Sequence, residues 1–346
     1  MPLLRISFFC ALVLAACNPA SEPDSHEFTL IALGTIVNIE IITADERRAL
    51  EARDELQTLF VELERDWYAF GDGELARVNA ALAAGDSVRT TAELSALIER
   101  SLEYRSMSAG LFDPVIGDLV ELWGFANFSA RTASPVPPDG AAIAAWRADP
   151  SPRQNLRVSG QTIQADGPVG IDLGGVAKGT VLARATALLK RLGLENAVVD
   201  AGGDLRVIGS RGSRPWRVGI RNPHDDSHDN SHADRLIATV ELASGEAIVT
   251  SGNYERYFDH EGRRYHHILD PRTGRPVDSA AGVTVIHADP ELADAAATAL
   301  MVAGPDRFAE IAARMGIDAA LLVDSRGALT MTAEMSHRVA MPAVQQ

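Results

Sequence analysis

The chain has 346 residues, 46% hydrophobic and 23% charged, and its 32 basic against 47 acidic side chains leave a formal charge of −15. That is a globular composition with ample core, long enough for one large domain or two intimate ones. The acidic balance excludes nucleic-acid binding through a basic, phosphate-facing surface, and beyond the N-terminus no apolar run reaches the ~18 residues of a membrane span.

The N-terminus reads as an address. Residues 1–5 carry one positive charge, 6–14 are apolar and Ala15-Ala16 are small, the pattern of a secretory signal. It ends Leu14-Ala15-Ala16-Cys17, which resembles the bacterial lipobox, so residues 1–16 are expected to be a lipoprotein signal peptide with Cys17 acylated. Residues 17–27 are then a polar tether and 28–335 the domain. The cysteines are Cys10 and Cys17. The first leaves with the signal and the second carries lipid, so the domain has no disulfide or thiol chemistry.

Residues 28–42 alternate as one or two strands, broken at Gly34-Thr35. A helix is predicted over 45–67, with Leu56, Phe60, Leu63 and Trp67 as its buried stripe. Thr90-Thr91-Ala92-Glu93 looks like a capping box, followed by a helix that buries Leu94, Leu97, Ile98 and Leu102. A Pro/Ser-rich loop spans 127–138. A helix over 176–192 closes at Gly193. Strands are predicted at 162–165, 197–200, 205–209, 217–221, 236–242, 247–251, 264–269, 282–287, 319–323 and 329–332. Asp289-Pro290 opens a helix that carries Asp294 and Thr298, and a separate helix spans 305–315, capped by Gly316. Strand clusters with helices inserted at intervals predict an α+β fold of mixed, largely antiparallel sheets. GxGxxG and Walker A sequences are both absent.

Three stretches carry chemistry. In His266-His267-Ile268-Leu269-Asp270-Pro271-Arg272-Thr273-Gly274, the Pro and Gly fix a rigid loop after a strand, and adjacent His residues on a strand face opposite sides. In Gly170-Ile171-Asp172-Leu173-Gly174-Gly175-Val176-Ala177-Lys178-Gly179, glycines lead into a helix N-terminus that favours an anion. In Ala293-Asp294-Ala295-Ala296-Ala297-Thr298-Ala299, the carboxylate and hydroxyl share one helix face. They are either half of an oxygen-rich site for a hard cation such as Mg²⁺ or a solvated Asp beside a filler Thr. Residues 223–235 hold His224, His228 and His232 among four Asp. That spacing suits metal ligation on a helix, but the composition predicts a solvated loop. Asp200-Ala201-Gly202-Gly203-Asp204 reads equally as a plain hairpin turn or as part of a site.

These stretches, together with Thr250-Ser251-Gly252-Asn253-Tyr254-Glu255-Arg256 and, upstream, Leu111-Phe112-Asp113-Pro114 and Leu122-Trp123-Gly124-Phe125, occur in an order that resembles the ApbE family, the FAD:protein FMN transferases. The likeness covers roughly residues 31–322. It implies an ApbE-like, T-fold-related fold. It also implies an exported bacterial enzyme, often a lipoprotein, that faces the periplasm. Such enzymes use Mg²⁺ to cleave the FAD pyrophosphate, attach FMN to a Thr or Ser of a target protein, and release AMP. Their partners include flavin-acceptor subunits of membrane redox complexes.

Carried over residue by residue, the resemblance implies metal ligation by Asp294, Thr298 and the Gly175 carbonyl. It makes His267 the catalytic base, with Asp270 as its orienter or a loop brace and His266 structural. FAD contacts fall to Leu111, Phe112, Asp113, Asp172, Lys178 and Ile268, and to Leu33, which stands where the family usually has Met. Residues 66–79 match a flavin-stacking region, with Trp67, Tyr68 and Phe70 as candidates and Trp67 put first. A neutral imidazole suits removal of a proton from a Thr hydroxyl near neutral pH. A Mg²⁺-dependent FAD pyrophosphatase and a non-catalytic flavin-binding lipoprotein are the competing readings.

Overall fold

The computed structural model describes residues 24–126, 136–225 and 236–342. The signal sequence, Cys17, residues 127–135 and His228 and His232 lie outside the described residues.

Eight strands form one sheet, and their order across it is their order along the chain: Ser25–Ala32, Thr35–Ile42, Ala197–Ala201, Asp204–Ile208, Ala247–Gly252, Ala280–His287, Ala319–Asp324 and Leu329–Met331. Every neighbouring pair is antiparallel. The helices Glu46–Trp67, Ala177–Arg191 and Pro290–Met315 pack on one face. A three-stranded sheet, Val339–Ala340, Leu236–Leu242 and Trp216–Arg221 in spatial order, covers part of the other. The fold is α+β, as the strand and helix pattern predicts.

Strand periodicity decides which face each side chain serves. Val249, Val285 and Leu322 face the helices and belong to one core cluster with Leu56, Phe60, Leu182 and Leu300. Their chain neighbours Ile248, Ile286 and Leu321 face the small sheet, against Trp216, Val240 and Leu242. Each such aliphatic or aromatic burial stabilises the fold by about 1.5–3 kcal/mol.

Several boundaries differ from those predicted. The first strand begins at Ser25, so Ser25, His26 and Glu27 belong not to a tether but to a ladder with Ile42, Ile41 and Glu40. The hairpin turn is Leu33-Gly34, one residue earlier than expected, with φ of 59° and 67°. The Glu64 carboxylate holds both turn amides, accepting from Leu33 N–H at 2.9 Å and Gly34 N–H at 3.1 Å. Thr91, rather than Thr90, caps the next helix by accepting from Leu94 N–H at 3.2 Å, a cap worth about 1 kcal/mol. Thr90 instead donates to Glu74 at 2.6 Å, on a helix, Glu74–Ala83, that the sequence reading missed. The 264–269 strand is split into Arg263–His266 and Leu269–Asp270, with His267 at the bend. The two helices predicted from 290 and from 305 are both present within Pro290–Met315, separated by a kink at the non-helical Gly304 (φ 62°, ψ −177°) before Pro305.

Candidate active site

The helix that begins at Pro290 is capped by Asp289, whose carboxylate accepts from Glu291 N–H at 2.9 Å and Leu292 N–H at 3.3 Å. One turn in, Asp294 is 2% exposed. Its Oδ2 accepts from Gly179 N–H at 2.9 Å. Gly179 must be glycine, because a side chain there would run into the Pro290 backbone; its absence lets the two helices cross close enough for that bond. Thr298, four residues on, lies on the same face, and its Oγ1 is 3.4 Å from Ser251 Oγ. Gly175 sits against it: a Cβ there would be 3.1 Å from Thr298 Oγ1 and 3.2 Å from the Phe112 ring. Gly175 and Thr298 are therefore neighbours beside Phe112, with Asp294 one turn before Thr298 on the same helix. Among the described residues no three His, Cys, Asp or Glu side chains gather at metal-binding range. One carboxylate, hydroxyls and a carbonyl form a hard oxygen set, which fits Mg²⁺ sharing its shell with water and phosphate.

The charge around Asp294 is arranged by three other groups. Lys178, on the first turn of Ala177–Arg191, gives its ammonium to Asp204 and lies 3.9 Å from Glu255. Asp204 is 1% exposed and also accepts from Thr250 N–H at 2.8 Å. Burial, followed by the charge of Asp204, pushes the Asp294 carboxyl up to about 7, against the opposing pull of Lys178 and the Gly179 amide. Burial works against the Lys178 charge, yet Asp204, Glu255 and Asp294 together hold its proton well above the ordinary lysine range. The Asp200–Asp204 stretch is thus both a hairpin turn, with Ala201 opposite Asp204, and part of the site.

His267 lies within electrostatic reach of this cluster through Lys178. Its backbone amide donates to the Arg256 carbonyl at 3.0 Å, and its ring Nδ1 is 3.2 Å from the same oxygen. A carbonyl only accepts, so Nδ1 carries the proton and Nε2 is left with a lone pair. Burial, then Arg256, His266 and Lys178, hold the ring well below the ordinary imidazole range. Lys178 acts on both His267 and Asp294, so base and carboxylate share one electrostatic neighbourhood. His266 is structural: it accepts from Ile268 N–H at 3.3 Å and donates through Nε2 to the Val277 carbonyl at 2.6 Å. Asp270 makes no direct bond to His267 and serves as the loop brace. Its carboxylate is taken by Arg272, through the backbone amide at 2.8 Å and the guanidinium at 2.8–3.2 Å.

The remaining expected contacts are placed as follows. Asp172 bonds through its amide to the Pro114 carbonyl at 2.8 Å and accepts from Gly174 N–H at 2.9 Å, so the 170–175 turn lies alongside the 111–115 segment. Burial raises its carboxyl, opposed by Gly174 N–H and Arg256. Leu111, Phe112 and Ile268 are buried. The Asp113 carboxylate is held by Arg105 at 3.2 Å and by Val115 N–H at 2.9 Å. Lys178, expected on a phosphate, is committed to Asp204. Leu33 occupies the hairpin turn at positive φ.

Trp67 does not offer a free ring face. It is 7% exposed inside the main core, with the Arg184 guanidinium 5.0 Å over its ring. Tyr68 is 44% exposed, bonds through its hydroxyl to the Ala126 carbonyl, and feels the charges of Arg256 and Asp172. It, rather than Trp67, borders the site.

The sequence reading assigned no role to Asp204, Ser251, Glu255 or Arg256. The signal for them lay in charged and hydroxyl residues at strand ends beside glycines: Gly202-Gly203-Asp204 and Ser251-Gly252-Asn253-Tyr254-Glu255-Arg256.

A profile of the ApbE family matches residues 33–321. A protein of Rhodobacter capsulatus named FAD:protein FMN transferase is 40% identical over 321 residues, which are 92% of this chain and 59% of that protein. One of the same name from Vibrio cholerae is 30% identical over 320 residues, 90% of this chain and 91% of that protein. The crystal structure of the ApbE protein of Thermotoga maritima superposes with a TM-score of 0.78 at 31% identity, covering 91% of this chain and 99% of that one. With its ordered motifs, its sheet and these relatives in agreement, this chain belongs to the ApbE family.

Proposed function

We propose that this chain transfers FMN from FAD to a Thr or Ser hydroxyl of an acceptor polypeptide and releases AMP. The observation that carries the reading is the pairing of a neutral His267, with Nε2 free, and a buried carboxylate–hydroxyl site at Asp294 and Thr298. The names of the Rhodobacter and Vibrio relatives support it.

His267 Nε2 takes the proton of the acceptor hydroxyl as its oxygen forms a bond to the FMN phosphorus. The bond from that phosphorus to the bridging oxygen breaks, and AMP leaves with the electron pair. Asp294, Thr298 and the Gly175 carbonyl would hold Mg²⁺, which when bound neutralises pyrophosphate charge. Lys178 and Asp204 keep the surroundings of Asp294 fixed. Tyr68, Phe112, Leu111, Leu33, Asp172, Ile268 and the 111–115 turn with Asp113 frame the flavin nucleotide. The lipobox-like N-terminus supports an exported lipoprotein held at the membrane by Cys17, with a flavin-carrying subunit of a membrane redox complex as the acceptor.

The test is incubation with FAD and an acceptor, with and without Mg²⁺, followed by mass spectrometry. Mg²⁺-dependent FMN attachment with release of AMP is expected. Free FMN with an unmodified acceptor would mean a pyrophosphatase, and no products at all a flavin-binding lipoprotein. For the anchor, Cys17→Ser should abolish labelling by palmitate and free the protein from membranes.

A further inference from the structure

We infer that Arg272 is a positioning residue that fixes His267 relative to Asp294 and Thr298. The inference rests on reading His267 as the base and the other two as metal ligands.

Arg272 bonds to two elements at once. Its Nε and Nη2 fork onto the Asp270 carboxylate at 2.8–3.2 Å, three residues beyond His267. The same Nη2 donates to the Val302 carbonyl at 3.3 Å. Val302 is four residues beyond Thr298, one turn along the metal-site helix. It lies in the last turn before the Gly304 break, where Pro305 brings no amide hydrogen. A guanidinium at the C-terminal end of a helical segment also meets the favourable end of its dipole.

The rest of the loop is pinned elsewhere. His267 hangs from the Arg256 carbonyl, and the Asp270 carbonyl accepts from Thr273 and Gly274 N–H at 3.1 and 2.8 Å. Trp123 Nε1 donates to the Gly274 carbonyl at 2.8 Å. Arg272 ties this pinned loop to the helix that carries Asp294 and Thr298. Lysine cannot replace it: one ammonium does not reproduce a planar fork that spans a carboxylate and a separate carbonyl.

The test compares Arg272→Ala, Arg272→Lys, Asp270→Asn and the double variant R272A/D270N in the full chain, with FAD, Mg²⁺ and acceptor. In each single variant kcat should fall about 10- to 100-fold, the scale of a misplaced catalytic group. KM for FAD should stay within about twofold, and the acid limb of the pH profile should not move. The double variant should be no slower than the worse single, because the two side chains act as one unit. An unimpaired R272A, losses that multiply in the double variant, or a loss confined to KM would each overturn the inference. A wild-type protein that releases no AMP overturns the underlying reading as well, whereas an active wild type with an equally active R272A overturns this inference alone.

Discussion

The carbonyl of Arg256 accepts from His267 twice, from its backbone amide at 3.0 Å and from its ring Nδ1 at 3.2 Å. One oxygen therefore sets both the position of the residue and its tautomer. His267→Ala should lower kcat by about 10²- to 10⁴-fold, with FAD binding retained. The acid limb of kcat/KM should lie below the ordinary histidine range, because the folded ring is held down by burial. The same shift fixes the sign for stability. A histidine whose folded pKa is depressed contributes fully above its unfolded value of about 6.5, and that contribution is lost as pH falls toward the folded value. Thermal unfolding in the mid-5s should therefore begin at lower temperature than at pH 7.5, and His267→Asn should remove part of the difference.

Asp294 titrates the other way. Its folded carboxyl is raised to about 7, mainly by burial. That contribution is present below the unfolded value of about 4 and is lost as pH rises through about 7. Metal-free protein should thus lose stability across this window, and Mg²⁺ should restore more of it at pH 8 than at pH 6. Because a proton competes with the ion, apparent Mg²⁺ affinity should fall about tenfold per pH unit below the raised value. Asp294→Asn should abolish Mg²⁺ binding, read by calorimetry, while leaving the circular dichroism of the fold. Intact pH-independent Mg²⁺ binding in that variant would exclude Asp294 as a ligand.

Lys178→Met should be among the most destabilising single changes in the site. It strips the ion partner from Asp204, which is 1% exposed. Breaking a buried pair from one side costs about 3–5 kcal/mol. Chemical denaturation would read the loss, and replacing Asp204 by Asn in the same chain should recover part of it.

The two neighbouring aromatics should separate cleanly. Trp67→Ala opens a hole in the main core and should cost about 3–5 kcal/mol. Tyr68→Ala should leave the unfolding midpoint nearly unchanged and raise KM for FAD. A Tyr68 variant with wild-type KM would remove it from the flavin site.

Leu33 holds φ at 59° in a two-residue turn, a conformation that costs a non-glycine residue about 1–2 kcal/mol. Leu33→Asn keeps the turn and eases this strain, so the melting temperature should rise by a few degrees or hold. If the leucine is kept for the substrate, KM for FAD should rise at the same time.

Local features of the sequence gave local answers. The Asp294–Thr298 spacing placed both side chains on one face, and the alternation of His266 and His267 set the two rings apart, although the strand ends at His266. The stripe of Leu56, Phe60, Leu63 and Trp67 predicted burial correctly. Trp67, put first among the stacking candidates, belongs to that buried stripe, whereas the neighbouring Tyr68 is exposed. The pairings of Lys178 with Asp204 and Arg272 with Val302 were not legible, because they join elements distant along the chain. Capping moved by one residue at Thr91 because Thr90 was claimed by Glu74, on a helix hidden behind Gly71 and Gly73.

Since the eight strands lie side by side in the order in which they are synthesised, every segment between two of them is an excursion that leaves one strand and returns to the next. Lys178, His267 and Asp294 each arrive on a different excursion, between Ile42 and Ala197, Gly252 and Ala280, and His287 and Ala319 respectively. The framework can therefore be kept while any one of these segments is exchanged between relatives, with no strand rethreaded. Chimeras built at those six junctions would exchange one segment at a time on an unchanged sheet.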